Sequence, residues 1–152
     1  MESIRIAKKD VYSIEVNDNG ETIEFDLLDV SLPLKFNKAF SEVNRIHNDL
    51  KAQLVIISKK EDIKREDSLM TANEEATIKA WENAFKEMRV AMDGFLGEGA
   101  CQKIFGARNY IEMYEDLYEA LAPHFDKMKL STDGVMDRIK AKYGKADDGV
   151  LR

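Results

Sequence analysis

Cysteine, proline and glycine are all scarce in this sequence. Its 152 residues include one cysteine, two prolines and eight glycines. A single cysteine excludes an internal disulfide, so a reducing compartment is the expected home. The scarcity of proline and glycine leaves room for long, uninterrupted helices. The length suits a single domain with a core of its own.

Long apolar runs and an excess of positive charge are also missing. No apolar stretch approaches the roughly 20 residues that span a bilayer, and the N-terminus lacks the basic-then-apolar pattern of an export signal. We therefore expect a cytoplasmic protein with no membrane partner. The formal net charge is −6, and residues 1–30 carry eight acidic against three basic side chains. Nucleic acid is not an expected partner, because nucleic-acid binding normally needs a basic face.

Motifs for catalysis, metals and cofactors are not found either. His47 and His124 lie in different predicted helices, without cysteine or carboxylate at metal-ligand spacing. Cys101 has no base near it in the sequence and is expected to be a small buried hydrophobe. Gly97-Glu98-Gly99 lacks the lysine and serine of a phosphate-binding loop and is expected only to turn the chain. We predict a protein that is not an enzyme and has no metal or cofactor.

The first structural pattern along the sequence is that of β-strands. Alternating apolar residues on both sides of Asn17-Asp18-Asn19-Gly20 predict a β-hairpin over residues 11–27. Such a hairpin either covers its own core or pairs through an open edge with another chain. The first interpretation is favoured.

The next stretch has the period of a helix. Ser31 is a suitable cap and Pro33 suits a first turn, and apolar residues recur at spacings of three and four as far as residue 57. They are Phe36, Phe40, Val43, Ile46, Leu50, Leu54 and Ile57. Residues 58–68 then place four positive and four negative charges around Ile63. That composition favours a loop over a solvated helical extension.

A second helix is predicted over residues 71–96. Thr71 and Glu74 have the spacing of a capping box, and Trp81 and Phe85 should face Phe36, Phe40 and Val43 across an antiparallel pair. Gly97 and Gly99 should end the helix.

Two further helices should follow the glycines. A short one is predicted from Ala100 to Phe105, stopped by Gly106. Another should open with Asn109 and Glu112 at capping spacing and end or kink at Pro123. Its apolar side is Met113, Tyr114, Leu117 and Leu121, and its acidic stripe is Glu112, Glu115, Asp116 and Glu119.

The predicted fold is therefore mainly α with a small N-terminal β-hairpin, an α+β protein built as an antiparallel bundle of four to five helices. Residues 1–30 form the hairpin and residues 31–143 the helical domain, whose last helix spans about residues 132–143. Residues 144–152 are predicted to be a flexible tail. The whole is predicted to be one domain.

The glycine-rich segment carries a resemblance. In this segment an aspartate and an aromatic residue are followed by Gly-Glu-Gly, a small residue and then Lys-Ile-Phe-Gly. This order resembles a segment of the tail assembly chaperones of long-tailed phages and prophages of Gram-positive bacteria. The matching residues are Asp93, Phe95, Gly97, Glu98, Gly99, Ala100, Lys103, Ile104, Phe105 and Gly106. Cys101 departs from the more usual small polar residue.

This resemblance implies a non-enzymatic role in the host cytoplasm. Such a chaperone coats the long helical tape-measure protein, keeps it soluble and helps tail-tube subunits assemble around it. The implied partners are the tape-measure protein, the tail-tube protein and copies of the chain itself. We expect helices 71–96 and 109–122 to form a groove for partner helices, provided that its side chains are accessible. The candidates are Trp81, Phe85, Met88, Met92, Tyr114 and Leu117.

Two other classes remain open. A structural tail or virion-completion protein would pair with its neighbours through the 11–27 hairpin and stay in the particle. A small phage-encoded regulatory protein would bind a host factor through the acidic stripe. Presence in mature particles favours the first, and a tight complex with one host protein favours the second.

Overall fold

Four helices follow a two-stranded antiparallel hairpin in the part of the chain that this computed structural model describes, which is residues 1–128 and residue 141. The strands are β1 (Val11–Glu15) and β2 (Thr22–Asp26), and the helices are α1 (Leu32–Ser58), α2 (Ala72–Leu96), α3 (Ala100–Phe105) and α4 (residues 113–128). The predicted fold class is confirmed. The last predicted helix and the predicted tail lie outside the described residues.

The chain divides into two compact units. The first comprises Met1–Lys35 and Tyr110–Arg152, and the second is Phe36–Asn109. The hairpin and α4 belong to the first unit, whereas α2, α3 and most of α1 belong to the second. None of the helices in the described residues combines the length and the apolar character that a bilayer crossing requires.

The hairpin has the predicted turn. Tyr12 pairs with Phe25 and Ile14 with Ile23, which puts these apolar side chains on one face of the sheet. The Asn17 side-chain oxygen accepts hydrogen bonds from the backbone N–H groups of Asn19 (3.0 Å) and Glu21 (3.2 Å). Gly20 takes the left-handed φ of +76° that the turn needs.

Helices α1 and α2 form the predicted antiparallel pair in a different register. The Phe36 ring lies 5.7 Å from the Phe95 ring and the His47 ring 5.9 Å from the Trp81 ring, between centroids. These two contacts run in opposite order along helices of 27 and 25 residues, so the start of α1 lies beside the end of α2. The expectation that Phe36 faces Trp81 is wrong for this reason.

The connection between these helices is a loop, as predicted, and it is tied to the start of α2. The backbone N–H of Ala72 donates to the Ile63 carbonyl at 2.7 Å, and Lys64 and Thr71 form an antiparallel bridge. The N–H of Asn73 donates to the Asp62 carboxylate at 3.0 Å, and this bond lowers the pKa of Asp62. Thr71 caps α2 by accepting from the N–H of Glu74 at 3.2 Å, which confirms its predicted role.

The start of α1 lies where it was predicted, but the predicted cap is not formed. The Ser31 carbonyl accepts the first helical bond, from the N–H of Lys35, so the boundary is correct. Its hydroxyl does not cap the helix but donates to the Asp29 carboxylate at 2.6 Å. Asp29 also pairs with the Lys35 ammonium at 2.7 Å. The bonds from Lys35 and Ser31 lower the pKa of Asp29 to about 2.

Helix α4 begins later and runs further than predicted. It starts at residue 113, and the side-chain oxygen of Asn109, the predicted cap, accepts a hydrogen bond from Arg89 at 2.8 Å. The prediction was that it ends or kinks at Pro123, and it does not end there, because it continues through Pro123 to residue 128. Its predicted sides are correct: Met113, Tyr114, Leu117 and Leu121 are buried, and Glu112, Glu115, Asp116 and Glu119 are exposed.

Candidate functional site at the glycine-rich turn

Asp93 fixes the turn between α2 and α3. It lies in the last turn of α2, and its carboxylate accepts a hydrogen bond of 2.8 Å from the backbone N–H of Cys101, in the first turn of α3. A carboxylate at this place accepts a hydrogen bond from an N–H group that has no partner within α3. Its negative charge is also stabilised by the positive, N-terminal end of the α3 dipole. One side chain of α2 therefore determines where α3 begins.

The glycines supply the backbone conformations that the turn requires. Gly97, the residue after α2, has φ +115° and donates its N–H to the Asp93 carbonyl, and Gly99, the residue before α3, has φ +74°. Gly106 ends α3 with φ +68°. Residues with a Cβ rarely adopt these angles. The turn therefore depends on glycine for its backbone and not for close packing, since a Cβ at any of the three would meet open space.

Arg89 holds the far end of the turn. Its guanidinium donates to the carbonyls of Gly106 (2.9 Å) and Arg108 (3.0 Å) and to the side-chain oxygen of Asn109 (2.8 Å). Arginine suits this role because its donors have a fixed planar geometry. Sequence reasoning missed Arg89. The only signal is its position one helical turn before Asp93, on the same side of α2.

The other residues of the segment have mixed environments. Cys101 is buried, with 1% of its surface exposed, as predicted. Phe95 packs on Phe36, and Glu98 is exposed. Lys103, Ile104 and Phe105 are half-buried along α3. The residues that carry the resemblance thus form one connected structural element rather than a cluster of reactive groups.

The six predicted partner-binding residues are mostly inaccessible. Five of them, Phe85, Met88, Met92, Tyr114 and Leu117, have between 0% and 7% of their surface exposed. Only Trp81 is half-buried, against the rings of His47 and Phe85. These five side chains do not line an open groove in this conformation, because they lie on the sides of their helices that pack inward.

Exposed apolar side chains lie elsewhere on the second unit. Val55 and Ile56 are exposed in the last turns of α1, and Ile78 is exposed on α2 one turn before Trp81. All belong to the end of the α1–α2 pair that carries the connecting loop. Their exposure was not predicted. For Val55 and Ile56 it follows from helix geometry, because the four consecutive apolar positions from Leu54 to Ile57 cannot all lie on the face of the helix that packs inward.

A cavity of about 390 Å³ lies between α1 and α2. Ile46, Leu50 and Ala84 form its apolar wall, and the rest of its lining is Asp49, Gln53, Asn83, Lys86 and Glu87. Among the described residues, no group of three or more His, Cys, Asp or Glu side chains is placed to hold a metal ion.

A family model matches residues 19–147, which include β2, the α1–α2 pair and the whole glycine-rich turn. The chain belongs to the family of unknown function DUF6673. Neither curated proteins nor solved structures gave a match. The DUF6673 match places Asp93, Arg89 and the three turn glycines inside the family's own region, but its description assigns them no role.

Proposed function

We propose that this protein is a tail assembly chaperone of long-tailed phages or prophages, which binds the tape-measure protein in the host cytoplasm and keeps it soluble without catalysing a reaction. The observation that carries the proposal is the construction of the glycine-rich turn. The resemblance to such chaperones rests on the same residues, from Asp93 to Gly106, on which the geometry of the turn depends.

A chaperone for an apolar helical protein needs accessible apolar surface. Ile78 and Trp81 lie one turn apart on the same side of α2, and Val55 and Ile56 are exposed at the facing end of α1. We propose this set as the partner surface in place of the buried residues. Tail-tube subunits would enter only after the tape-measure protein is bound.

The test is co-expression with the long, helix-rich protein encoded just downstream, with its soluble fraction as the readout. Wild-type protein should bring that partner into the soluble fraction as a complex of many copies. Ile78→Asp should reduce the yield, because it places a charge on the proposed surface. A partner that remains insoluble while this chain elutes alone overturns the proposal.

Val90→Asp is the matched control. Val90 is 75% exposed on the same helix, and its offset of nine residues from Trp81 puts it on the opposite side of α2. It should leave the partner's solubility unchanged. Charges at Met88 or Tyr114 would not be informative, because both side chains are buried and the variants would unfold.

The runner-up is a structural tail protein that pairs through the hairpin. It has one supporting observation: within the described residues, β1 and β2 pair only with each other, so each strand has an outer edge. Mass spectrometry of purified particles separates the two functions. Stoichiometric amounts in mature tails favour the structural protein, and absence from them favours the chaperone.

A further inference from the structure

The segment before β1 is exposed and has the pattern of a strand. In residues 3–9, Ile4 and Ile6 alternate with Arg5, and such alternation is typical of a β-strand with one apolar side. The two isoleucines are 92% and 87% exposed. Residues 1–10 belong to no helix, strand or turn and are all exposed, so nothing in the described part of the chain covers this apolar side.

Strand β1 has an outer edge to which a further strand can add. Asp10 and Val16, just beyond its two ends, both make backbone hydrogen bonds to the opposite side of the hairpin. Since backbone groups alternate along a strand, those of the even-numbered residues point to β2 and those of the odd-numbered residues point away from it. The odd-numbered residues are Val11, Ser13 and Glu15, and all three are exposed.

The apolar face of the hairpin is covered unevenly, which distinguishes the side of β1 from that of β2. Ile23 and Phe25 of β2 are buried, with 4% and 3% of their surface exposed. Tyr12 and Ile14, which pair with them on β1, are only half-buried. A strand beside β1 would cover the exposed part of these two side chains with its own apolar residues.

The segment does not return to this edge in its own chain. Folding back along β1 would make Lys8, Lys9 and Asp10 a three-residue loop, and such loops use a residue with a left-handed backbone angle, usually glycine. Among the described residues, none other than glycine has a positive φ, and the Asp10 carbonyl is bonded to the N–H of Leu27. A second copy supplies the same strand without any turn.

One register between two copies matches charged and apolar residues at once. If residues 3–15 of two copies run antiparallel with Lys9 opposite Lys9 on the solvent side, Lys8 of each copy faces Asp10 of the other. The same register pairs Ile6 with Tyr12, Ile4 with Ile14, and Ala7 with Val11. The even-numbered pairs fall at the positions where side chains of antiparallel strands approach most closely. A shift by two residues, which keeps the same edges together, sets Asp10 opposite Asp10 or opposite Ile6.

The distribution of charge also favours this contact. Residues 3–9 have three basic and no acidic side chains, whereas residues 10–29 have seven acidic and no basic ones. The register places the basic segment of each copy along the acidic hairpin of the other, so opposite charges come together. Arg5 lies opposite the small Ser13, and Glu24 pairs with Ser13 on its other side.

We infer that residues 3–15 pair with the same residues of a second copy, as a two-fold symmetric antiparallel strand pair that adds a third strand to each hairpin. A two-fold contact uses the same patch on both copies, and here each copy both supplies a segment and accepts one. The inference goes beyond the proposed function and does not depend on it, because it concerns the chain alone.

Sedimentation velocity over a range of protein concentrations tests it. The wild-type chain should shift reversibly from monomer to dimer as its concentration rises. Ile6→Asp should raise the dimer dissociation constant roughly tenfold, because it replaces an apolar contact with Tyr12 by a carboxylate at two places in the dimer. Leu69→Asp is the matched control: Leu69 is also fully exposed, but it lies in the loop between α1 and α2.

A charge swap tests the register. Lys8→Asp and Asp10→Lys should each weaken the dimer, since each places like charges opposite one another. The double variant should restore wild-type affinity at unchanged net charge. Circular dichroism of each variant shows that the fold is retained, which is expected because both side chains are exposed.

Hydrogen exchange reports on the backbone pairing itself. The N–H groups of Ala7 and Ser13 should exchange more slowly at high than at low protein concentration, because in the dimer they donate to the second copy. A wild-type chain that stays monomeric at every concentration overturns the inference. So does equal weakening by Ile6→Asp and Leu69→Asp, a double variant that is not restored, or a dimer in which exchange at Ala7 and Ser13 is unchanged.

Discussion

Single residues decide the shape of the glycine-rich turn. The sequence predicted that Gly97 and Gly99 end α2 and that Gly106 ends α3, because glycine is the residue that tolerates left-handed backbone angles. It did not predict that Asp93 caps α3 across the turn. Capping motifs are recognised by local spacing, whereas this carboxylate reaches a residue eight positions away.

Two glycine substitutions should have opposite effects on stability. Gly99→Ala should lower the free energy of unfolding by about 1 kcal/mol, since alanine must adopt a left-handed φ. Gly94→Ala should raise it by about 0.5 to 1 kcal/mol, because Gly94 lies inside α2 with open space around it and alanine favours helix. Urea denaturation measures both. A loss of stability in both variants would contradict the assignment of Gly94 to a regular helical position.

The cap at α3 predicts a graded response at Asp93. Asp93→Ala should destabilise the protein by about 1 to 2 kcal/mol, as the loss of other caps does. Asp93→Asn should cost less, because the amide oxygen can still accept the N–H of Cys101. Equal losses in the two variants would mean that the charge, and not the hydrogen bond, is what matters at this position.

At the scale of elements, the sequence was most informative where the signal is local. The period of α1 and α2, the Thr71 cap and the hairpin turn were all predicted from short patterns. The register between α1 and α2 was not, because the identity of facing residues depends on how far both helices run. The length of α4 was missed for a related reason: the burial of Met128 supports a helix that Pro123 alone would disfavour.

The start of α1 should give the protein a pH-dependent contribution to stability. The pKa of Asp29 is about 2 in the folded chain, against 3.8 without its partners. Because folding lowers its pKa, Asp29 stabilises the folded state at pH values above its pKa in the unfolded chain. This stabilisation is lost as the pH falls from about 4 towards 2. Because the pair with Lys35 is partly exposed, the gain should be at most about 1 kcal/mol.

Asp29→Asn should therefore be less stable than wild type at neutral pH, and the gap should close at low pH. Denaturant titrations at several pH values measure it, with Glu24→Gln, which also removes one exposed negative charge, as the control. A gap that persists unchanged down to about pH 2 would show that the Asp29 charge is not its source.

The Arg89 contacts link α2 to residues 106–109. Arg89→Lys should destabilise this segment by about 1 to 2 kcal/mol, since a lysine ammonium cannot reproduce the planar fork that reaches three acceptors. Hydrogen exchange of residues 106–109 should accelerate more than that of α1. Uniform acceleration across the chain would mean that Arg89 acts on global stability instead.

At the scale of the whole molecule, charge is divided between the two units. The first unit holds eleven basic and seventeen acidic side chains and accounts for the whole net charge of −6, while the second is neutral. The sequence showed that its N-terminal part is acidic. It could not show that residues 110–152 join that part in one unit, because this depends on tertiary contacts.

This division predicts how the proposed complex with the tape-measure protein should respond to salt. If the tape-measure protein binds the apolar side chains of the second unit, raising the salt concentration from about 50 to 500 mM should leave the complex intact, because apolar contacts are not screened. If it binds the acidic stripe of α4, the same change should dissociate it. Pull-downs across a salt series distinguish the two surfaces.

The burial of Cys101 also gives the protein a natural probe of local opening. It is the only thiol in the sequence, it is 1% exposed, and it sits where Asp93 holds α3. A thiol-reactive dye added to the unmodified protein should therefore label it only when this turn opens. The labelling rate relative to the unfolded chain gives the free energy of that local opening, without any engineered probe.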